Sequence, residues 1–179
     1  MIIRKLFRFE NAHIVRGALD KRCAKSIHGH SYKVEVLLQS KEFSDGQMVL
    51  DFTLVKELLG WFIDAFDHSV AIWKDDKPEY IEAIKHSSDR WVVLPVNPSA
   101  EQFARVIFWF SAAALENKRF VEVSSVIVHE TEGGYAQAFA EDVNNSGFGA
   151  LNPREFLFSE AIIAEWGGTN RFARLFHIA

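Results

Sequence analysis

His28-Gly29-His30 puts two imidazoles at i and i+2, and on an extended backbone such side chains project from one face. His13, upstream, offers a third nitrogen donor. Three histidines gathered on one side of an ion leave a tetrahedral position open, the ligand count of a catalytic rather than a structural zinc. Gly29 removes a side chain where a metal or substrate must approach. Cys23 lies between the ligands, next to Arg22 and close to Lys21 and Lys25. That polar setting suits a reactive thiol better than a small buried hydrophobe. Taken alone, His-x-His is explained as well by a turn, with His13 an ordinary strand residue. The upstream histidine and the cysteine together turn the reading toward a metal centre. The cations Arg16, Lys21, Arg22 and Lys25 form either a solvated loop or, lying between candidate ligands, a place for an anion.

These residues need a scaffold. A chain of 179 residues is one domain, or one domain with an appendage, and 49% hydrophobic residues including 16 Phe can fill a sizeable core. A net charge of −4 speaks against a general nucleic-acid or membrane-surface protein. The single cysteine excludes an intrachain disulfide. With no signal peptide and no apolar run of bilayer-spanning length, the reducing cytoplasm is the expected setting.

Residues 2–15 read as a strand with Ile3, Phe7, Phe9, Asn11 and His13 on one parity and Arg4, Leu6, Arg8 and Glu10 on the other, which is the pattern of a half-buried antiparallel strand. Residues 16–27 read as a loop, and residues 31–40 as a second strand with Tyr32, Val34, Val36 and Leu38 on one face. Leu54, Leu58, Trp61, Phe62 and Ala65 recur at helical spacing over residues 53–66, with Asp51 or Thr53 as the cap. Residues 80–86 suit a short helix and residues 91–96 an extended run. Ser99 with Gln102 resembles a capping box opening a second long helix. Residues 120–130 and 135–140 read as strands joined through Glu132-Gly133-Gly134. Residues 153–165 read as a helix in a C-terminal extension. Strand, strand, helix, helix, strand, strand without βαβ alternation predicts an α+β domain: an antiparallel four-stranded sheet, two helices on one face, and the extension packed beside them.

The words Phe9-Glu10-Asn11-Ala12-His13, Cys23 ahead of His28-Gly29-His30-Ser31-Tyr32, Val49-Leu50-Asp51-Phe52, Asp67-His68, Pro98-Ser99-Ala100-Glu101 and Val128-His129-Glu130-Thr131 follow in one order. In that order they resemble the 6-pyruvoyl-tetrahydropterin synthase family, including its bacterial branch, 6-carboxy-tetrahydropterin synthase of the queuosine pathway. The resemblance spans residues 1–140. It implies the tunnelling fold (T-fold), in which sheets of several subunits join into a barrel, as trimers stacked into a hexamer with active sites at subunit interfaces. It implies Zn2+ held by His13, His28 and His30, Cys23 as the base, and Asp67 with His68 as a proton relay supplied by a neighbouring subunit. Glu130 matches the family's pterin anchor. The implied substrate is 7,8-dihydroneopterin triphosphate, and the product 6-carboxy-5,6,7,8-tetrahydropterin or 6-pyruvoyl-tetrahydropterin. Outside the resemblance, Glu130 would read as a strand-end charge and His68 as a histidine at a helix C-terminus.

Some features depart from the family pattern. Ser69-Val70-Ala71-Ile72 follows the Asp-His pair, Ser99 stands for threonine, residues 73–94 look like an insertion, and residues 144–179 have no counterpart in short bacterial members. A pterin-synthase domain over residues 1–142 and an extension over residues 143–179 are therefore expected. The Cys23-to-His28 interval bears on which product is made. Two other readings compete: a zinc lyase or hydrolase acting on another small polyol, and a non-catalytic zinc- or pterin-binding module. The second has no use for Cys23, Asp67 and His68 together. Nothing raises His86, His129 or His177 above ordinary histidines.

Overall fold

The computed structural model describes residues 1–118 and 120–178, so the last residue of the expected extension lies outside them. One seven-stranded sheet organises the chain, in the order β6-β5-β2-β1-β3-β4-β7. Strands β1 (Ile2–His13) and β2 (His28–Gln39) pair antiparallel without interruption, from Ile2 opposite Gln39 to His13 opposite His28. On the far side of β2 lie β5 (Glu122–Thr131) and β6 (Gly134–Ala138), both antiparallel.

The other half of the sheet corrects the expected four-stranded antiparallel arrangement. Strand β3 (Ser69–Trp73) runs parallel to β1, and β4 (Trp91–Leu94) runs parallel to β3 across helix α3 (Pro78–Ser87). Strand β4 lies in the extended run expected over residues 91–96, but alternation could not reveal β3, a short, nearly continuous apolar run, nor the parallel pairing of the two. Ile72, Ile84 and Val93 form a small second core beneath α3.

Helices α2 (Phe52–Asp64) and α4 (Ala100–Leu115) cover one face of the sheet. They bury Val55, Leu59, Phe62, Phe103, Val106 and Phe110 against Phe9, Tyr32, Val34, Val36, Leu38 and Val128. The rings of Phe62 and Phe110 stack with centroids 3.9 Å apart. Asp51 caps α2 by accepting from the Thr53 N–H, and Ser99 caps α4 by accepting from the Gln102 N–H. The Gln102 side chain does not close a capping box. Its amide donates instead to the Phe148 carbonyl, and its oxygen accepts from Arg105.

The expected loop over residues 16–27 contains a five-residue helix, α1 (Lys21–Lys25), capped by Asp20. It is cation-rich and has no apolar face, so no periodicity announced it. After α5 (Ala140–Val143), the expected helix over 153–165 is broken into a 3-10 turn (Pro153–Glu155), the two-residue β7 (Leu157–Phe158) and α6 (Glu160–Glu165). Asn152 and Ser159 each accept a backbone N–H, and each cap starts a new element. Strand β7 pairs antiparallel with β4. Phe156, Phe158, Ile162 and Phe172, the last in α7 (Arg171–Leu175), join the main core. Arg105 is buried, and its guanidinium donates to the carbonyls of Asp142, Val143, Phe148 and Gly149, fixing the start of this C-terminal segment.

Candidate active site

The β1–β2 register builds the site. His13 stands directly opposite His28, and Asn11 opposite His30. By the alternation of the pleat, His13, His28 and His30 then share the helix-covered face. Their ring centroids lie 4.6, 5.3 and 5.1 Å apart. One donor atom from each falls within 4.8 Å of the other two.

The tautomers follow from the partners. A carbonyl can only accept, so the contact of His13 Nδ1 with the Pro98 oxygen at 2.6 Å, and of His28 Nδ1 with the Ser26 oxygen at 3.0 Å, each require an Nδ1–H donor. The lone pairs are thereby left on Nε2, which is how backbone carbonyls orient ligating histidines. Burial lowers the pKa of His13 to about 4 against the help of the Pro98 carbonyl, with His28 and His30 adding repulsion. Burial also lowers that of His30, opposed by Glu130 and assisted by His28. Both rings are thus neutral at physiological pH, as metal ligation requires. Three converging imidazoles, two of them oriented by backbone carbonyls, suit a divalent ion that favours nitrogen donors, zinc among them.

Glu130 reaches the same place from β5. One of its carboxylate oxygens lies 3.7 Å from His13 Nε2 and 3.8 Å from His30 Nε2, and it accepts from the Tyr32 hydroxyl at 3.2 Å. Burial first, then the Glu130 carboxylate, pushes the Tyr32 pKa far above its ordinary value, so the phenol remains a donor. Tyr32 was read from the sequence only as a core residue. Its position two residues beyond His30, on the parity of the imidazoles, was the available signal.

Gly29 also permits a close approach across the ladder. It points away from the imidazoles, and a Cβ there would meet the Asn11 carbonyl oxygen at 3.3 Å. The missing side chain lets β1 and β2 approach closely where the ligands face each other.

Cys23, partly exposed, lies in α1, and its backbone carbonyl accepts from the Val15 N–H at 3.0 Å, two residues beyond His13. Asp67 and His68 follow α2. The Asp67 carboxylate accepts from His68 Nδ1 at 2.9 Å and from the Glu10 N–H at 2.7 Å. His68 is exposed, with φ 50°. It lines a cavity of about 570 Å³ with Glu10, Ala12, Gly29, His30, Ser31 and Arg90. By parity Glu10, Ala12, Gly29 and Ser31 belong to the open face of the sheet. One chain therefore gathers the imidazoles, Tyr32 and Glu130, and His68 lies outside that cluster while bordering the same cavity as His30.

The sequence profile of 6-pyruvoyl tetrahydropterin synthase matches residues 2–141. The chain is 35% identical over 182 residues to a 6-carboxy-5,6,7,8-tetrahydropterin synthase of Helicobacter pylori strain J99, covering 98% of this chain and 91% of that protein. It is also 35% identical over 156 residues to the enzyme of the same name from Aquifex aeolicus, covering 75% of this chain and 95% of that one. Among solved structures it is similar to an uncharacterized protein of Wolinella succinogenes, with TM-score 0.63 at 21% identity over 78% of this chain and 98% of that one. It is likewise similar to the Caenorhabditis elegans 6-pyruvoyl tetrahydropterin synthase, with TM-score 0.57 at 19% identity over 78% and 95% of the two chains. These likenesses bear on the fold, which is the α+β tunnelling fold with a widened, mixed sheet. With the profile covering most of its length, the chain belongs to the 6-pyruvoyl tetrahydropterin synthase family.

Proposed function

We propose that this chain is a zinc-dependent 6-carboxy-5,6,7,8-tetrahydropterin synthase of the cytoplasm. Its substrate is 7,8-dihydroneopterin triphosphate, which it converts with loss of triphosphate and acetaldehyde. The observation that carries this reading is the convergence of three imidazoles with the Glu130 carboxylate at one end of the β1–β2–β5 face. The curated relatives' names favour the 6-carboxy product over the 6-pyruvoyl one.

His13, His28 and His30 are the residues that hold the ion. Zinc held there would supply a Lewis acid beside the reacting part of the substrate. Glu130 accepts hydrogen bonds from the amino group and ring N–H of the pterin, with the Tyr32 hydroxyl fixing the carboxylate. Cys23 takes the substrate proton as the general base. Asp67 holds His68 in one tautomer for proton relay.

Assembly completes the site, because Asp67 and His68 come from a neighbouring copy. Strand β1 pairs with β3 only at Asn11 and Ala12, so over residues 2–9 its outer edge lacks a strand partner among the described residues. Strand β6 forms one border of the same sheet. Joining the β1 edge of one copy to the β6 edge of the next makes a head-to-tail contact that closes into a ring and removes both edges from water.

Incubating the purified protein with 7,8-dihydroneopterin triphosphate tests the reading. Release of triphosphate and formation of the 6-carboxy product, both abolished by chelation while the chain stays folded, are expected. Zinc-loaded protein that releases no triphosphate refutes it. Cys23→Ala should keep its metal and lose about 10²-fold or more in turnover, the contribution usual for general acid–base catalysis.

A further inference from the structure

The segment between β3 and β4 reaches the surroundings of both groups assigned to proton transfer, although they lie in separate parts of the chain. On one side stands Arg16, three residues past His13. Its Nε donates to Asp76 Oδ2 at 2.8 Å and its Nη1 to the Ala24 carbonyl at 3.1 Å, while its guanidinium lies 5.2 Å from the Tyr80 ring centre. Its backbone is gripped by Asn97, which accepts from the Arg16 N–H at 3.1 Å and donates to the Arg16 carbonyl at 2.6 Å. The side chain of Asp76 is only 4% exposed, and its other oxygen accepts from the Lys77 N–H. A buried carboxylate thus holds a cation whose fork fixes the residue next to Cys23.

On the other side, Arg90 Nε donates to the Asp67 carbonyl at 2.9 Å and Nη2 to the Asp64 carbonyl at 2.7 Å, while Nη1 pairs with Glu165. A cation placed on the Asp64 carbonyl at the end of α2, and on that of Asp67 in the turn beyond it, satisfies both and complements the helix dipole. It also fixes the turn that carries His68 at φ 50°, a left-handed conformation that a residue with a side chain keeps only when its surroundings impose it.

We infer that the β3–β4 segment is a positioning element for catalysis: Asp76, acting through Arg16, sets the helix that carries Cys23, and Arg90 sets the turn that carries Asp67 and His68. This inference rests on the roles given to Cys23 and His68 above. Asp76 and Arg90 touch neither substrate nor metal ligands and act through the residues they hold.

The test uses the intact zinc-loaded protein and the variants Asp76→Asn, Arg16→Lys, Arg90→Lys and, as a control, Asp75→Asn, which removes the neighbouring exposed charge. Because the chain has one cysteine, the rate of thiol modification by a disulfide reagent reports on Cys23 alone and needs no substrate. Asp76→Asn and Arg16→Lys should speed that reaction by about threefold or more, since a loosened helix exposes its thiol. They should also lower kcat by about ten- to a hundredfold with KM within about twofold, as misplacing a catalytic group by an ångström does. Arg90→Lys should lower kcat similarly while leaving the thiol rate unchanged, and Asp75→Asn should match the wild type in both. Folded Asp76→Asn and Arg16→Lys proteins with a wild-type thiol rate overturn the inference. So does failure of both to fold, which would make the segment a stability element only. Wild-type protein that does not act on the pterin would sink the proposed reaction, yet the substrate-free thiol rates would still decide whether Asp76 governs Cys23.

Discussion

At the scale of single residues, the site's chemistry is set by burial. His13 is fully buried beside two other imidazoles, so protonating it is costly, and its pKa falls from 6.5 to about 4. Between those values the unfolded chain binds a proton that the folded chain refuses, so stability rises with pH across this window. The metal-free protein should therefore be fully stabilised by this group above pH 6.5 and should lose up to about 3 kcal/mol as pH falls toward 4. His30 adds in the same direction. Urea midpoints measured from pH 7 to 4.5 check this, and His13→Gln should flatten the slope. Glu130→Gln keeps the shape of its side chain and its bond from Tyr32 but replaces one acceptor oxygen by a donor. It should raise KM for the pterin about tenfold or more while metal content stays constant, because an unmatched polar edge in a site is rejected strongly. Equal KM values for the two proteins would remove Glu130 from the substrate site.

At the scale of elements, what matters is register. The face shared by Phe9, Tyr32, Val34 and Val36 was legible because half-buried antiparallel strands alternate, and the same parity carried His13, His28 and His30 to one side. Other elements were hidden for definite reasons. Strand β3 does not alternate, α1 is too short and too polar for a periodic stripe, and the segment after Asn152 is cut by side-chain caps that override helix propensity. Tyr32 looked like core because it is core, and its link to Glu130 depends on a pairing of β2 with β5 about a hundred residues apart. Gly29 shows the same limit, since its role lies across the ladder rather than along it. Gly29→Ala should push against the Asn11 carbonyl, a backbone atom tied into two strands, and shift His28 and His30 relative to His13. We expect roughly tenfold weaker zinc binding in competition with a chelating dye, the scale of a disturbed ligand orientation. Unchanged affinity would mean that the strands absorb the methyl elsewhere.

At the scale of the whole molecule, the arrangement of Cys23 and His68 makes a quantitative demand on assembly. Within one chain, His68 lines a cavity walled mostly from the open side of the sheet, which His30 also borders, whereas the donor atoms of His13, His28 and His30 converge with Glu130. If each active site takes Cys23 from one copy and His68 from the next, two differently crippled chains can repair each other. Cys23→Ala and His68→Ala should each be inactive alone. Unfolded together, mixed in equal amounts and refolded, they form rings in which a junction receives an intact Cys23 with probability one half and an intact His68 with probability one half. Recovered activity should therefore approach about a quarter of wild type, the value for random head-to-tail joining. Leu6 in β1 and Tyr135 in β6 are both exposed, and replacing each by Asp sets like charges on the two edges that must meet. That double change, introduced into both chains, should give smaller particles by light scattering, retained zinc and no recovery on mixing. Recovery near zero between the two single variants, with rings intact, would show instead that each chain works with its own Cys23 and His68, and the cavity beside His68 would then need another explanation.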